Sequence, residues 1–360
     1  MASNIKGGKR LAHTKKGGFF RKLLLLLTGA LGIAIVALGL WYWLNVKPPE
    51  IPGIGSGDDG TAFHSPEYHP DDAALGGSGG APSGVTDADR KKDFYTLLIV
   101  GTDGGVNTDT IMVASYDNTA KSANLISIPR DTLVNVKRKV KKINAAYPSG
   151  TLNGGGKEGG IAQLKREVKT LIGFAPDFTV LIDMKAFVRL VDALGGVEVD
   201  VPFHMVYNDP TQNLSINIPK GLQTLSGSDA VKFARFRKGS SGSRTISDYD
   251  RIKNQQAVIK AIAEKALRPS SIIKIPEFVG IFTENVYTDM DTGNLIWFAE
   301  QFAAAGTLAT HTLPMAGSSG SPGWYEYANA AATAELVNGT VNPYGVPITV
   351  DDLDILNAVP

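Results

Sequence analysis

The feature that most constrains this chain is an uncharged apolar run that extends from Leu23 to Val46. A helix needs about 20 apolar residues to cross the hydrocarbon core of a bilayer, and this run is long enough. A secretory signal peptide has a shorter apolar core of about 7–15 residues, followed by a cleavage site of small residues. Here the run instead approaches its end with Trp41, Tyr42 and Trp43, which are typical of a membrane interface. The pattern therefore predicts one transmembrane helix over residues 23–46.

The charges on either side of this run predict its orientation. Residues 1–22 contain no acidic residue and form a basic tail, with Lys6, Lys9, Arg10, Lys15, Lys16, Arg21 and Lys22. Such a tail favours the cytoplasmic side, so the rest of the chain is expected outside the cell. A nucleic-acid-binding arm is the alternative interpretation. It is disfavoured because 36 Lys and Arg against 35 Asp and Glu leave the whole chain at +1.

The remaining chain divides by composition and by hydrophobic periodicity. Residues 47–92 are rich in Gly, Pro, Ser and Asp without periodicity, which predicts a flexible extracellular linker. We expect a catalytic domain over residues 93–305 and a C-terminal extension over residues 306–360. Strands are predicted at 94–103, 110–117, 123–131, 177–184 and 197–203, and helices at 161–173, 185–196, 226–239, 247–267, 271–282, 292–304 and 325–337. This alternation favours an α/β fold, a three-layer α/β/α domain with a mixed sheet.

The composition excludes several kinds of chemistry. The chain has no Cys, which removes disulfides, thiol catalysis, Cys-ligated zinc and iron–sulfur clusters. Of its five His, His13, His64 and His69 lie in the basic tail or the linker, which leaves only His204 and His311 for a metal site or a Ser-His-Asp triad. A His-rich metal site and a Ser-His-Asp triad are therefore disfavoured. No Walker A pattern occurs, so the chain is not a P-loop nucleotidase.

Two carboxylates lie in the turn between the first two predicted strands. Asp103 ends the first strand and Asp109 opens the second. They could converge on Mg²⁺, which takes one or two protein carboxylates together with water and substrate phosphate. Asp is also a common turn residue beside Gly, so the spacing alone leaves both interpretations open.

Arginines lie at the ends of several predicted elements. Arg130 follows a buried strand, and Asp131 beside it could orient it through a salt bridge. Residues that could bind a polyanion together are Arg130, Arg235, Arg237 and Arg251, with Gln255 on the same helix face as Arg251. Guanidinium groups match phosphate oxygens through two parallel hydrogen bonds. Each Arg alone could be solvated, but a diphosphate on a lipid carrier would fit both the cluster and the membrane anchor.

The order of motifs resembles the LytR-CpsA-Psr (LCP) family over roughly residues 94–267. The motifs are LLIVGTD, TDTIMVASYD, ANLISIPRDT, KINAAY, LVDALGGVEVDV, GLQTLSGSDAVKFARFR and DYDRIKNQQ. The combination of SIPRD, ARFR and DRIKNQ is specific, whereas GTD alone is weak. The resemblance implies a phosphotransferase anchored by one N-terminal span in a Gram-positive-type envelope. Such enzymes move a glycopolymer, which is teichoic acid, capsule or another wall polysaccharide, from a polyprenyl-pyrophosphate carrier to peptidoglycan.

The resemblance also implies roles for individual residues. Asp103 and Asp109 match the positions near Mg²⁺, and the four arginines and Gln255 match those that hold the pyrophosphate. The prenyl chain would occupy a tunnel between the sheet and helices, for which the helix candidates are Ile161, Leu164, Val168, Phe187, Leu190 and Val191. Two alternatives remain: a hydrolase that uses water as acceptor, and a non-catalytic protein that binds envelope lipid or regulates. Direct binding to DNA is disfavoured because the cytoplasmic tail, residues 1–22, is too short for a DNA-binding fold.

Overall fold

The computed structural model describes most of the chain beyond the linker. The described residues are 40–42, 44–51, 82, 84–102, 108–212, 214–240, 244–266, 268, 280–281, 286–304, 307–319 and 324–357. The chain divides into two units, residues 1–47 and residues 48–360. In the first unit, residues 40–42 and 44–45 are helical. None of the helices in the described ranges is long and apolar enough to cross a membrane. Most of the predicted transmembrane segment and of the linker, and most of the predicted helix 271–282, lie outside the described residues.

The second unit is a mixed α/β domain. Its strands are β1 (Phe94–Thr102), β2 (Thr108–Asp117), β3 (Ser122–Ser127), β4 (Phe178–Asp183), β5 (Val197–Val201), β6 (Met205–Asp209), β7 (Leu214–Ile218), β8 (Gly221–Leu225), β9 (Val286–Thr288), β10 (Thr307–Thr312), β11 (Met315–Ser319) and β12 (Tyr325–Ala328). Its helices are α1 (Ala146–Gly150), α2 (Gly156–Ile172), α3 (Met184–Ala193), α4 (Gly227–Arg235), α5 (Asp248–Ala266), α6 (Thr292–Ala304) and α7 (Ala330–Thr340).

Six strands form the central sheet in the order β10-β3-β2-β1-β4-β9. Strands β1, β2 and β3 pair antiparallel, β4 runs parallel to β1, and β10 runs parallel to β3. The sheet is therefore mixed, which confirms the predicted fold class at this level. Strand β10 lies beyond residue 305 and is nevertheless an edge strand of this sheet.

Helices cover both faces of the sheet because its central strands bury alternate side chains on opposite sides. On one face, Leu98 and Val100 of β1 pack in a core that includes Leu164 of α2 and Val337 of α7. On the other face, Tyr95 packs edge-on against Trp297 of α6, with ring centroids 5.2 Å apart. The ends of β1 and its neighbours thus lie between helical layers, where a site can be shielded from water.

A second hydrophobic core supports the helices that carry the predicted arginines. It joins α3, α4 and α5 to two pairs of short strands, β5 with β8 and β6 with β7. In β5, buried Val197, Val199 and Val201 alternate with exposed residues, as expected for a strand with one covered face. The fixed packing of α4 and α5 holds Arg235 and Arg251 in place.

The helix predicted at 325–337 is wrong at its start. Residues Tyr325–Ala328 form β12, which pairs antiparallel with β11. The helix begins only after Asn329, whose side chain accepts a hydrogen bond from the backbone N–H of Ala332 at 3.0 Å. Two tyrosines in the segment YEYA favour a strand, and the sequence interpretation gave too much weight to the alanines that follow.

Candidate functional site

A β-bulge brings Asp109 to the site. Gly101 pairs with Thr110 and Thr102 pairs with Thr108, so Asp109 is an extra residue between two paired positions. A bulge of this kind redirects a side chain away from the regular alternation. The Thr110 side chain packs over Gly101 there, because a Cβ added at Gly101 would lie 3.0 Å from the Cβ of Thr110. Asp109 consequently lines a cavity next to the end of β1.

Arg130 lies in the segment that follows β3 and contacts Asp109 of the neighbouring strand β2. Its Nη1 donates a hydrogen bond to Oδ1 of Asp109 at 2.8 Å. Its Nε lies 3.9 Å from Oδ2 of Asp131, whose other oxygen accepts a hydrogen bond from Lys142 Nζ at 2.8 Å. Asp109 is therefore the closer carboxylate partner of Arg130, and Asp131 holds mainly Lys142.

Arg251 is the buried centre of the basic cluster, with an exposed fraction of 5%. Its Nη2 lies 2.9 Å from Oδ1 of Asp248, an oxygen that also lies 3.9 Å from Nε of Arg237. Burial lowers the pKa of Arg251, and the charges of Arg130 and Arg237 lower it further, while Asp248 and Asp109 oppose them. Charges influence one another in this way only when they lie near each other. Three of the predicted arginines thus form one cluster.

Two buried donors in this cluster have no hydrogen-bond partner among the described residues. They are the Nε atoms of Arg130 and Arg251. Leaving a buried charged donor unpaired is costly, so such groups usually face a ligand or water. A phosphate anion that reached both nitrogens would satisfy them.

An apolar cavity of about 250 Å³ opens beside the cluster. Its polar lining includes Asp109, Arg235 and Gln255, and a guanidinium nitrogen of Arg235 lies 3.2 Å from Sδ of Met184. The apolar lining comes from the sheet and from α3, α4 and α5, and includes Ile99, Ile182, Phe187, Leu190, Val231, Val258, Ile259 and Ile262. A charged head group and an apolar chain could therefore bind side by side.

Only some of the predicted tunnel residues reach this cavity. Phe187 and Leu190 line it. Four others are fully buried in hydrophobic cores and are not among its lining residues, namely Ile161, Leu164, Val168 and Val191. The three on α2 pack against the opposite face of the sheet, with Leu98 and Val100. Helical spacing identified a buried face in each case but could not tell which side of the sheet it covered.

The residues that could hold a metal ion are described only in part. Asp103 lies outside the described residues. Within the described part of the chain, no three His, Cys, Asp or Glu side chains come together as a metal site. Mg²⁺ does not need three protein carboxylates. The carboxylate of Asp109, which lines the cavity, is suited to be one ligand of the ion.

The structure adds three residues that the sequence interpretation did not select. Lys142 donates a hydrogen bond to Asp131, and Asp248 forms an ion pair with Arg251. Glu326 of β12 lies close enough to these two pairs for their charges to shift its pKa. The motifs KINAAY and DYDRIKNQQ already contained Lys142 and Asp248, although neither was selected; Asp248 lies three residues before Arg251. Glu326 had no signal in the sequence, because it reaches the site only through tertiary strand pairing.

The fold and site define a mixed α/β domain with an arginine-rich anion site that opens onto an apolar cavity. The sequence model of the LytR_cpsA_psr family matches residues 75–340, and the chain belongs to this family. The resemblance indicated by the motifs is thereby confirmed.

Relatives of the chain carry two kinds of name. A Staphylococcus aureus protein named regulatory protein MsrR is 25% identical over 268 residues, which cover 71% of this chain and 74% of that protein. TagU of Oceanobacillus iheyensis is named a polyisoprenyl-teichoic acid–peptidoglycan teichoic acid transferase. It is 31% identical over 221 residues, 60% of this chain and 65% of that protein. The crystal structure of B. subtilis TagV has the same fold, with a TM-score of 0.57, 24% identity, and coverage of 68% of this chain and 95% of that one.

Proposed function

We propose that this protein is a membrane-anchored phosphotransferase that moves a wall glycopolymer from a polyprenyl-pyrophosphate carrier to peptidoglycan. The observation that carries the proposal is the pair of unpartnered buried Nε atoms of Arg130 and Arg251 beside an apolar cavity. A lipid pyrophosphate has the matching combination of charge and apolar chain. Family membership and the name of the Oceanobacillus relative support the same reaction, with teichoic acid as one class of polymer.

The arginines would bind the pyrophosphate, and the cavity would take the start of the prenyl chain. Arg130 and Arg251 would donate to phosphate oxygens from the buried side, and Arg235 and Gln255 from the cavity lining. Arg237, which is exposed, would close over the phosphates from outside. Phe187 and Leu190 would contact the lipid.

In the reaction, a sugar hydroxyl of peptidoglycan attacks the polymer-side phosphorus. The new P–O bond forms while the bond to the bridging oxygen breaks, and polyprenyl phosphate leaves with the electron pair. Charge in this transition state is spread over the phosphate oxygens, so positioned guanidinium groups stabilise it directly.

We further propose Mg²⁺ as the cofactor, with Asp109 as one ligand and Asp103 as a second. When bound, the ion would neutralise charge on the phosphate oxygens. Arg130 is held by Asp109 at 2.8 Å, so the metal ligand and the phosphate-binding arginine would be positioned together.

The proposed location is the cell membrane, with residues 1–22 in the cytoplasm and the domain outside. The uncharged run over residues 23–46 and the basic tail before it support this topology. Substrates on a lipid carrier and in the wall would both be reachable from a tethered domain.

The name of the Staphylococcus relative favours a second candidate, a regulatory protein without turnover. A hydrolase using the same pocket with water as acceptor is a third. All three need the anion site, so only the products distinguish them.

The experiment uses the full chain in lipid vesicles with a short-chain polyprenyl-pyrophosphate saccharide, Mg²⁺ and peptidoglycan fragments, and follows products by mass. Arg235→Gln removes an exposed arginine of the site, and Arg268→Gln is the matched control. Arg268 is also exposed, and it pairs with Glu198 at 2.7 Å outside the site. We expect a saccharide–phosphate–glycan product that falls by about 100-fold or more in Arg235→Gln only.

The other outcomes decide between the candidates. Free saccharide phosphate without coupled glycan would contradict the transferase and support the hydrolase. Tight binding of the donor without any product would support the regulatory protein.

A further inference from the structure

Glu326 is fixed against the segment that follows Arg130. Its backbone N–H donates to the carbonyl of Asp131 at 3.0 Å, and its carbonyl accepts from the N–H of Leu133 at 2.8 Å. Thr132 and Glu326 form a parallel bridge, and Ser318 of β11 pairs with Glu326 on the other side. The backbone is thus held on both edges, so the side chain has a defined position beside the anion site.

One oxygen of the Glu326 carboxylate lacks a hydrogen-bond partner among the described residues, as does Oδ1 of Asp248, whose other oxygen accepts from Arg251 at 3.1 Å. Asp109 is bound by Arg130, Asp131 by Lys142 and Asp248 by Arg251. Among the described residues, Oε2 of Glu326 is buried and has no hydrogen-bond partner. Its lone pairs are therefore available to a hydroxyl group that enters the site.

The surroundings of Glu326 favour its protonated form. Burial raises the pKa of Glu326, and the negative charges of Asp248 and Asp131 raise it further, while Arg251 and Lys142 oppose them. Tyr249 of α5 also faces it, because the charge of Glu326 contributes to a raised pKa of Tyr249. A carboxylate with a raised pKa is a stronger base and is better matched to proton transfer near neutral pH.

Glu326 is separate from the apolar cavity. It is not among the described residues that line the apolar cavity, whereas Asp109, Arg235 and Gln255 are. In phosphoryl transfer the attacking and leaving oxygens lie roughly in line on opposite sides of phosphorus. If the lipid phosphate leaves toward the cavity, the acceptor approaches from the side away from the cavity. Trp324, two residues before Glu326, and Tyr249, whose pKa the charge of Glu326 raises, are exposed, with 69% and 41% of their surface accessible, so solvent reaches the surroundings of Glu326.

We propose that Glu326 is the catalytic residue that accepts the proton of the acceptor hydroxyl. This inference rests on the proposed function. As the hydroxyl oxygen bonds to the polymer-side phosphorus, its proton passes to the Glu326 carboxylate, and the bridging oxygen leaves with polyprenyl phosphate. Glu326 then releases the proton to solvent, so the carboxylate is regenerated.

The test compares Glu326→Gln with Glu326→Asp and with Glu335→Gln in the full chain. Gln keeps the size of Glu but accepts no proton, Asp keeps the charge, and Glu335 lies exposed on α7. We expect kcat of Glu326→Gln to fall by about 100-fold or more while donor binding stays unchanged. Glu326→Asp should retain part of the rate, and Glu335→Gln all of it.

The pH profile separates this role from a structural one. In the wild type the rate should fall on the acidic side as Glu326 takes up a proton, and this limb should be absent in Glu326→Gln. Since burial disfavours the charged carboxylate, Glu326→Gln should unfold at the same or a higher urea concentration near neutral pH.

The outcomes distinguish this inference from the proposed function. If the wild type transfers polymer and Glu326→Gln keeps both its rate and its acidic limb, only the role of Glu326 is overturned. The same conclusion follows if Glu326→Gln loses activity together with stability. If the wild type forms no coupled product, the proposed function and this inference fail together.

Discussion

Removing Arg138 should destabilise the domain by leaving a buried carboxylate without its partner. Glu167 on α2 has no exposed surface. Both Nη atoms of Arg138 bind its two oxygens, and Gln163 Nε2 donates a third hydrogen bond at 2.8 Å. Arg138 also donates to the carbonyls of Val140 and Lys142, each at 2.6 Å. The pair therefore ties the loop that carries Lys142 to the helix below it.

The burial of Glu167 sets the expected loss in the free energy of unfolding. Breaking a buried ion pair by removing one partner costs about 3–5 kcal/mol. Burial already raises the pKa of Glu167 and Arg138 opposes that rise, so Arg138→Met should raise the pKa further. A raised carboxyl pKa contributes stability that is present below the unfolded pKa and is lost as pH rises through the folded pKa. The deficit of the variant should therefore grow with rising pH.

The assay is urea unfolding of the full chain in mild detergent at about pH 5 and about pH 7.5. Arg138→Met is compared with the double variant Arg138→Met/Glu167→Gln, which should recover part of the loss because no buried charge remains. Arg268→Met breaks an exposed pair and should cost less than about 1 kcal/mol. A loss below about 1 kcal/mol for Arg138→Met, or one independent of pH, would refute the reasoning.

Three further predictions concern the site. Leu190→Trp should fill much of the 250 Å³ cavity and weaken binding of a short-chain polyprenyl pyrophosphate, whereas Trp at exposed Leu222 should not; equal affinities by titration calorimetry would contradict this. Asp109→Asn should raise the Mg²⁺ concentration for half-maximal transfer by about tenfold or more, and an unchanged Mg²⁺ dependence would remove Asp109 from the metal site. Asp248→Asn should shift the acidic limb of the rate to lower pH, because Asp248 raises the pKa of Glu326; a shift to higher pH would contradict that placement.

The sequence alone predicted the parts of the fold that depend on local patterns. The strands β1 to β5 agree with the predicted ones to within a few residues, because each is a short run of branched and aromatic side chains between turns. The cluster of Arg130, Arg237 and Arg251 also followed from local reasoning, since each lies at or near the end of an element with a clear boundary.

The parts that the sequence did not predict depend on tertiary contacts. The bulge that directs Asp109 into the cavity exists only in the pairing of β1 with β2. The position of Glu326 depends on pairing with a segment almost 200 residues earlier, around Thr132. Hydrophobic periodicity predicted that Ile161 and Phe187 lie on inward helix faces, but only the assembled sheet shows that they lie on opposite sides of it.

The most direct test of the central claim follows the polymer-side phosphorus itself. The full chain in vesicles is given a polyprenyl-pyrophosphate saccharide radiolabelled at that phosphorus, together with peptidoglycan fragments that carry free sugar hydroxyls. The account predicts that the label appears in the glycan as a phosphodiester and leaves the lipid fraction. Label that stays on the lipid, or that appears only in free saccharide phosphate at high acceptor concentration, would contradict the account.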